Sequence, residues 1–130
     1  MTTIGDGALI LIVEDNDKNM KLARDLLQYH GFKTLEATNA EDGIVMAREQ
    51  EPKLVLMDIQ LPGMDGVAAL GKLREDGKTA RIPVVALTAS VMKEDRERFD
   101  AAGFDGFITK PIDVAQFPSQ VRDLVAKGRR

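Results

Sequence analysis

Cysteine is absent from the 130 residues, histidine occurs once, at His30, and the aromatic share is only 5%. Without cysteine there is no disulfide framework, no thiolate metal site and no cysteine nucleophile. Long hydrophobic runs are missing too. The longest purely apolar stretch, Ala8 to Val13, is far too short for a membrane span or the core of a signal peptide. Nor does charge of one sign dominate: 18 basic residues face 21 acidic ones, for a net charge of −3. That balance argues against nucleic acid, and against insertion into a membrane, as the basis of function. No internal repeat or low-complexity linker appears. What is present, 44% hydrophobic and 30% charged residues, excludes wholesale disorder. A chain of this length buries roughly two-thirds of its unfolded surface and needs no metal or disulfide to hold a core. The expectation is one domain over 1–130, with a core over about 8–126, short loose tails at 1–7 and 127–130, and a cytoplasmic location.

Short apolar runs alternate with amphipathic stretches along the chain. The runs are Ala8–Val13, Lys33–Ala37, Leu54–Met57, Pro83–Leu87 and Gly106–Ile108. The first, third and fourth are continuous, as central parallel strands covered on both faces require. Between them, Asn16 caps a helix with Met20, Ala23, Leu26 and Leu27 at helical spacing, ended by Gly31. Asn39 caps a second helix through Gln50, which Pro52 stops. A third begins near Gly66 and ends at Gly77. A fourth runs from about Val91 to Ala102, with Met92 and Phe99 as its only large apolar anchors and Gly103 beyond its end. The last follows Ile112, with Val114, Phe117, Val121, Leu124 and Val125 on one stripe, and Pro118 implies a late start or distorted first turns. Strict alternation of this kind predicts an α/β fold, a doubly wound five-stranded parallel sheet flanked by five helices; of the two common doubly wound orders, the shorter, 2-1-3-4-5, is the one expected.

In such a sheet, ligands bind outside the carboxyl ends of the strands. Glu14 and Asp15 follow the first strand, Asp58 the third, Thr88 the fourth, and Thr109, Lys110 and Pro111 the fifth. Thr38 ends the second, an edge strand away from the switch point. Singly, each is an ordinary cap, turn or surface residue. Together they aim three carboxylates, a hydroxyl and an ammonium at one spot. Three clustered carboxylates repel one another unless a hard cation compensates, and magnesium suits an all-oxygen set. Lys110 and one divalent ion would neutralise the three acids. A lysine and a hydroxyl without a metal role are what phosphoryl oxygens need. Asp58, on the middle strand, is the best placed to act as a nucleophile through an aspartyl-phosphate. Neutralising Asp15 is then expected to stabilise the metal-free protein.

Competing motifs fail on single residues. Gly66-Val-Ala-Ala-Leu-Gly71-Lys72-Leu73 has P-loop spacing, but Leu73 replaces the magnesium-binding hydroxyl. The run from Asp15 to Asn19 starts like a calcium loop, but Met20 and Leu26 occupy its glycine and bidentate-acid positions. His30 reads as a surface or helix-end residue rather than a ligand.

Four stretches carry a resemblance: Ile12-Val13-Glu14-Asp15-Asn16; Leu56-Met57-Asp58-Ile59-Gln60-Leu61-Pro62-Gly63-Met64-Asp65-Gly66; Ile82-Pro83-Val84-Val85-Ala86-Leu87-Thr88-Ala89; and Ile108-Thr109-Lys110-Pro111. In this order the chain resembles the receiver domain of bacterial two-component response regulators over nearly its whole length. Asn19-Met20-Lys21-Leu22 and Met92-Lys93 draw it toward the single-domain cell-cycle members, which have no output domain. The resemblance implies a flavodoxin-like receiver fold, and a signalling switch rather than an enzyme. Asp58 would accept a phosphoryl group from a histidine kinase or histidine phosphotransfer protein and lose it slowly by itself. Magnesium would lie on Asp15, Asp58 and the backbone carbonyl of Gln60, with Glu14 acting through a water. Thr88 and Lys110 would hold the phosphoryl oxygens, and the Lys110–Pro111 bond would be cis. The switch pair would be Thr88 and Phe107, the latter without the hydroxyl often found there. The downstream protein target would meet the fourth helix, fifth strand and fifth helix. Helix four, with seven charged residues from Lys93 to Asp100, has few anchors and is the element expected to move. Two alternatives stand beside this reading. One is a scaffold of the same fold that binds partners without phosphorylation. The other is a magnesium phosphohydrolase resembling the haloacid dehalogenases, which want an acid where this chain has Gln60.

Overall fold

The five apolar runs form strands β1 (Leu9–Val13), β2 (Lys33–Ala37), β3 (Leu54–Asp58), β4 (Val84–Thr88) and β5 (Gly106–Thr109). They pair in parallel, as the alternation predicts, and in the expected order β2-β1-β3-β4-β5. The structure is a computed structural model that describes residues 4–61, 63–89 and 92–129. Successive strand residues point to opposite faces, so continuous apolar runs feed two cores. Leu11, Val13, Val55, Met57, Val84 and Ala86 face helices α2 (Ala40–Gln50), α3 (Gly66–Glu75) and α4 (Lys93–Ala102). Ile10, Ile12, Leu54, Leu56, Val85, Leu87 and Ile108 face α1 (Asp17–Tyr29) and α5 (Phe117–Lys127).

Local chemistry sets the helix boundaries. The Asn16 side chain accepts from the Asn19 amide and the Asn39 side chain from that of Asp42, as their positions predict. Asp65 does the same for Ala68, so α3 has a side-chain cap ahead of Gly66. Gly103, at φ 106°, closes α4 in the left-handed conformation that glycine takes without strain. Pro118 lies in the first turn of α5, where its missing N–H is no loss.

Two apolar expectations are corrected. Val114 is 57% exposed and precedes α5 instead of joining its stripe. Asp113 explains this: its carboxylate accepts from the amides of Ala115 and Gln116, and its carbonyl accepts from Phe117, making a turn that delays the helix. Met92 is 62% exposed at the N-cap of α4, leaving Phe99 as that helix's one buried residue. Val91, the expected first residue, lies outside the described residues, as do Met1–Thr3, Pro62, Ser90 and Arg130. The amides of Gly5 and Gly7 donate to the carbonyls of His30 and Gly31, and the Arg129 guanidinium donates to the Ala80 carbonyl.

A buried ion pair aligns β4 with β5. Asp105 accepts from the Val84 amide and from Arg74 Nη2, both at 2.9 Å, while Arg74 Nη1 donates to the carbonyls of Ala80 and Ile82. This joins the start of β4 to the start of β5, and the resulting register sets Thr88 level with Thr109. The Lys110 amide then donates to the Thr88 carbonyl at 2.7 Å. The far end of the sheet thus helps to place the site.

Candidate functional site

A parallel sheet gathers its strand ends at one edge, and there the candidate residues meet. Asp58 and Thr88 are the last residues of β3 and β4 rather than the first beyond them, because the ladder continues through Asp58 opposite Leu87. Glu14 and Lys110 come one residue after β1 and β5. Lys110 Nζ lies 3.1 Å from Asp58 Oδ2 and 3.4 Å from Glu14 Oε2. Glu14, Asp58 and Thr88 are buried, while Asp15 is exposed. Carboxylate oxygens of Glu14, Asp15 and Asp58 lie within 4.8 Å of one another. The Lys110–Pro111 bond is cis, as the resemblance implies.

Hydrogen bonds fix the two buried acids. The Gln60 amide donates to Asp58 Oδ1 at 3.0 Å, and Glu14 Oε1 accepts from the Asn19 side chain at 3.2 Å and the Asn16 amide at 3.3 Å. No sequence motif gives Asn19 a place in the site. Its link to Glu14 exists only because the first turn of α1 folds back over the end of β1. Asp95 and Arg98 of α4 were missed as functional residues too. They line a cleft of about 330 Å³ together with Asp58, Gln60, Thr88 and Lys110. Phe107 stands apart on β5, 38% exposed, with the Arg96 guanidinium carbon 5.4 Å from its ring centroid. Thr38 and His30 take no part.

The donor set fits a hard divalent cation. It is all oxygen, and one ammonium cannot balance three carboxylates. Burial first, and then the neighbouring Asp58, push the Glu14 carboxyl above its ordinary value of 4.5. Burial pulls the Lys110 ammonium down, but Asp58 and Glu14 together outweigh it and hold the group above its ordinary value.

A carboxyl with a raised folded pKa contributes stability below pH 4.5 that is lost as pH climbs through the raised value. In metal chelator, Glu14→Gln is therefore expected to melt several degrees higher than the unmutated protein at neutral pH. The difference should shrink as pH falls toward 4.5. Asp15→Asn, at an exposed carboxylate, should gain less. Thermal melts of the three proteins across this pH range make the check; a Glu14→Gln protein that melts at or below the unmutated one would show that Glu14 carries no penalty.

Residues 10–122 match the response regulator receiver domain model. The polar-differentiation response regulator DivK of Brucella anthropi is 42% identical over 116 residues, covering 89% of this chain and 94% of the relative. A solved receiver domain of the sensor histidine kinase PA1611 from Pseudomonas aeruginosa, with a magnesium ion coordinated in its active-site cleft, is 29% identical. Its TM-score is 0.84, over 92% of this chain and 98% of that one. The chemotaxis response regulator CheY4 of Vibrio cholerae, at 20% identity, shares the fold with a TM-score of 0.85 over 90% of this chain and 98% of that one.

Proposed function

The chain belongs to the response regulator receiver domains of two-component signalling, and from that premise we propose that it is a phosphorylation-controlled switch with Asp58 as the acceptor. The observation that carries the reading is the Lys110 ammonium 3.1 Å from Asp58 Oδ2, at the end of the sheet's central strand and beside two further carboxylates. The donor would be the phosphohistidine of a histidine kinase or a histidine phosphotransfer protein, acting in the cytoplasm. Among the described residues, no helix is long and apolar enough to cross a membrane.

Each residue has a distinct task. Asp58 supplies the attacking oxygen, and the Gln60 amide on Oδ1 keeps the carboxylate oriented. Lys110 leaves its resting partners to meet the phosphoryl oxygens, and the Thr88 hydroxyl takes another. Asp15, Asp58 and the Gln60 carbonyl would hold magnesium, with Glu14 acting through a water. The bound ion would supply positive charge against the phosphoryl oxygens. Asn16 and Asn19 keep Glu14 in place by occupying its other oxygen. Output would leave through α4, β5 and α5 to a protein target. Two features support this route: α4 is held by the single buried Phe99, and Phe107 is a half-exposed ring under Arg96.

Incubation with acetyl phosphate in magnesium or in EDTA, followed by intact mass, tests the reading. One phosphoryl group should appear in magnesium and almost none in EDTA. Borohydride trapping and peptide mapping should place it on Asp58. A label on Asp15 or Asp65, or equal labelling in EDTA, would overturn the assignment. Lack of any label, with partner binding retained, would favour the scaffold.

A further inference from the structure

Any phosphodonor that reaches Asp58 is an anion entering a pocket of three carboxylates. The one ammonium inside, Lys110, is already engaged by Asp58 and Glu14 at 3.1 and 3.4 Å. The mouth of the same cleft carries a second cation, Arg98 of α4, in the lining with Asp58, Thr88 and Lys110. The neighbouring Phe99 is buried, so the backbone of Arg98 is held at the rim. Its guanidinium lies 5.3 Å from the Phe99 ring centroid and only 3.6 Å from Asp95 Oδ1, a loose pairing with the Arg98 side chain 63% exposed. An exposed ion pair of this kind is weak and readily exchanged for a better anion.

We propose that Arg98 captures the anionic phosphodonor at the cleft mouth and aligns it for Asp58, with Asp95 as the resting partner that tempers its charge. The inference rests on Asp58 being the acceptor. A guanidinium presents several N–H groups in a plane that matches two phosphoryl oxygens, so it can grip the donor while Lys110 is still engaged. With acetyl phosphate, an Asp58 carboxylate oxygen forms the new bond to phosphorus. The bond from phosphorus to the acyl oxygen breaks, and acetate leaves with the electron pair. Arg98 contributes to donor binding rather than to bond making, so its effect belongs in the donor concentration at half-maximal rate.

The test is the rate of acetyl phosphate labelling as a function of donor concentration, at saturating magnesium, read by intact mass. Arg98→Ala should raise the half-saturating concentration about threefold to tenfold with little change in the maximal rate. Arg98→Lys, which keeps the charge but not the planar fork, should recover part of the loss, and Asp95→Asn should lower the value about twofold. The spread among the variants should narrow as salt is added. Melting temperature and magnesium affinity should be unchanged in Arg98→Ala. If the unmutated protein is labelled and Arg98→Ala shows the same half-saturation, Arg98 has no part in donor capture. An equal loss in Arg98→Lys, accompanied by a lower melting temperature, would make its role structural and overturn the proposal. Failure to label the unmutated protein would remove the Asp58 reading and this one with it.

Discussion

Asp58→Asn is expected to take up no phosphoryl group under conditions that label the unmutated protein fully. The amide has the shape of the carboxylate but no nucleophilic oxygen anion, so the loss should be complete rather than partial. The change gives up the Lys110 contact to Asp58 Oδ2 at 3.1 Å but keeps the rest of the local frame. An asparagine oxygen can still accept from the Gln60 amide now bonded to Asp58 Oδ1, and Lys110 keeps its contact with Glu14 at 3.4 Å. Removing the Asp58 charge also removes one of the influences that raise the Glu14 carboxyl. The metal-free variant should therefore melt no lower than the unmutated protein, which separates lost chemistry from lost folding. Intact mass after acetyl phosphate treatment, alongside melts in EDTA, gives both readings. Residual labelling of Asp58→Asn would mean that another carboxylate accepts the group.

The second large effect is expected at a glycine. A Cβ built on Gly66 would lie 2.8 Å from the Asp58 carbonyl oxygen and 3.0 Å from Ile59 Cα, both main-chain atoms that cannot swing aside. Gly66 also donates its amide to the Ile59 carbonyl at 3.1 Å, so the start of α3 is pinned against the end of β3. Gly66→Ala should cost about 2–3 kcal/mol by overpacking and should slow phosphorylation by displacing the acceptor segment. Gly71, five residues along the same helix, has nothing within 4 Å of its Cβ position. Gly71→Ala should instead stabilise by about 0.5–1 kcal/mol, the ordinary gain from replacing glycine in a helix. Chemical denaturation of the two variants measures both signs at once. Equal and small effects would show that the approach of α3 to Asp58 is not tight.

Those two glycines also show how far sequence reasoning reaches. In the chain they look alike, both within one amphipathic segment and both in the near-miss P-loop spacing. Nothing local says that one touches the acceptor strand and the other faces open space. The caps were different: Asn16 and Asn39 were legible because a cap is a contact between residues three apart. The misplacement of Met92 and Val114 has the same root. Apolar character at helical spacing marks a candidate for burial, but Asp113 turns the chain before α5, and α4 begins only at Lys93.

The site was half legible. Glu14, Asp15, Asp58, Thr88 and Lys110 could be named because a parallel sheet brings successive strand ends to one edge, and alternation of strand and helix alone dictates a parallel sheet. Their inequality could not. From sequence, the three acids look alike; in the fold, Glu14 and Asp58 are buried, while Asp15 is exposed. Asn19, Arg98 and Asp95 were beyond reach for the same reason, since each meets the site across a packed interface between a helix and the end of a strand. Patterning and capping are local, so the order of elements, the parallel sense of the sheet and the identity of the clustered residues can be read along the chain. Burial, ion-pair partners and the approach of one backbone to another depend on how distant segments pack, and they are settled only in the folded molecule.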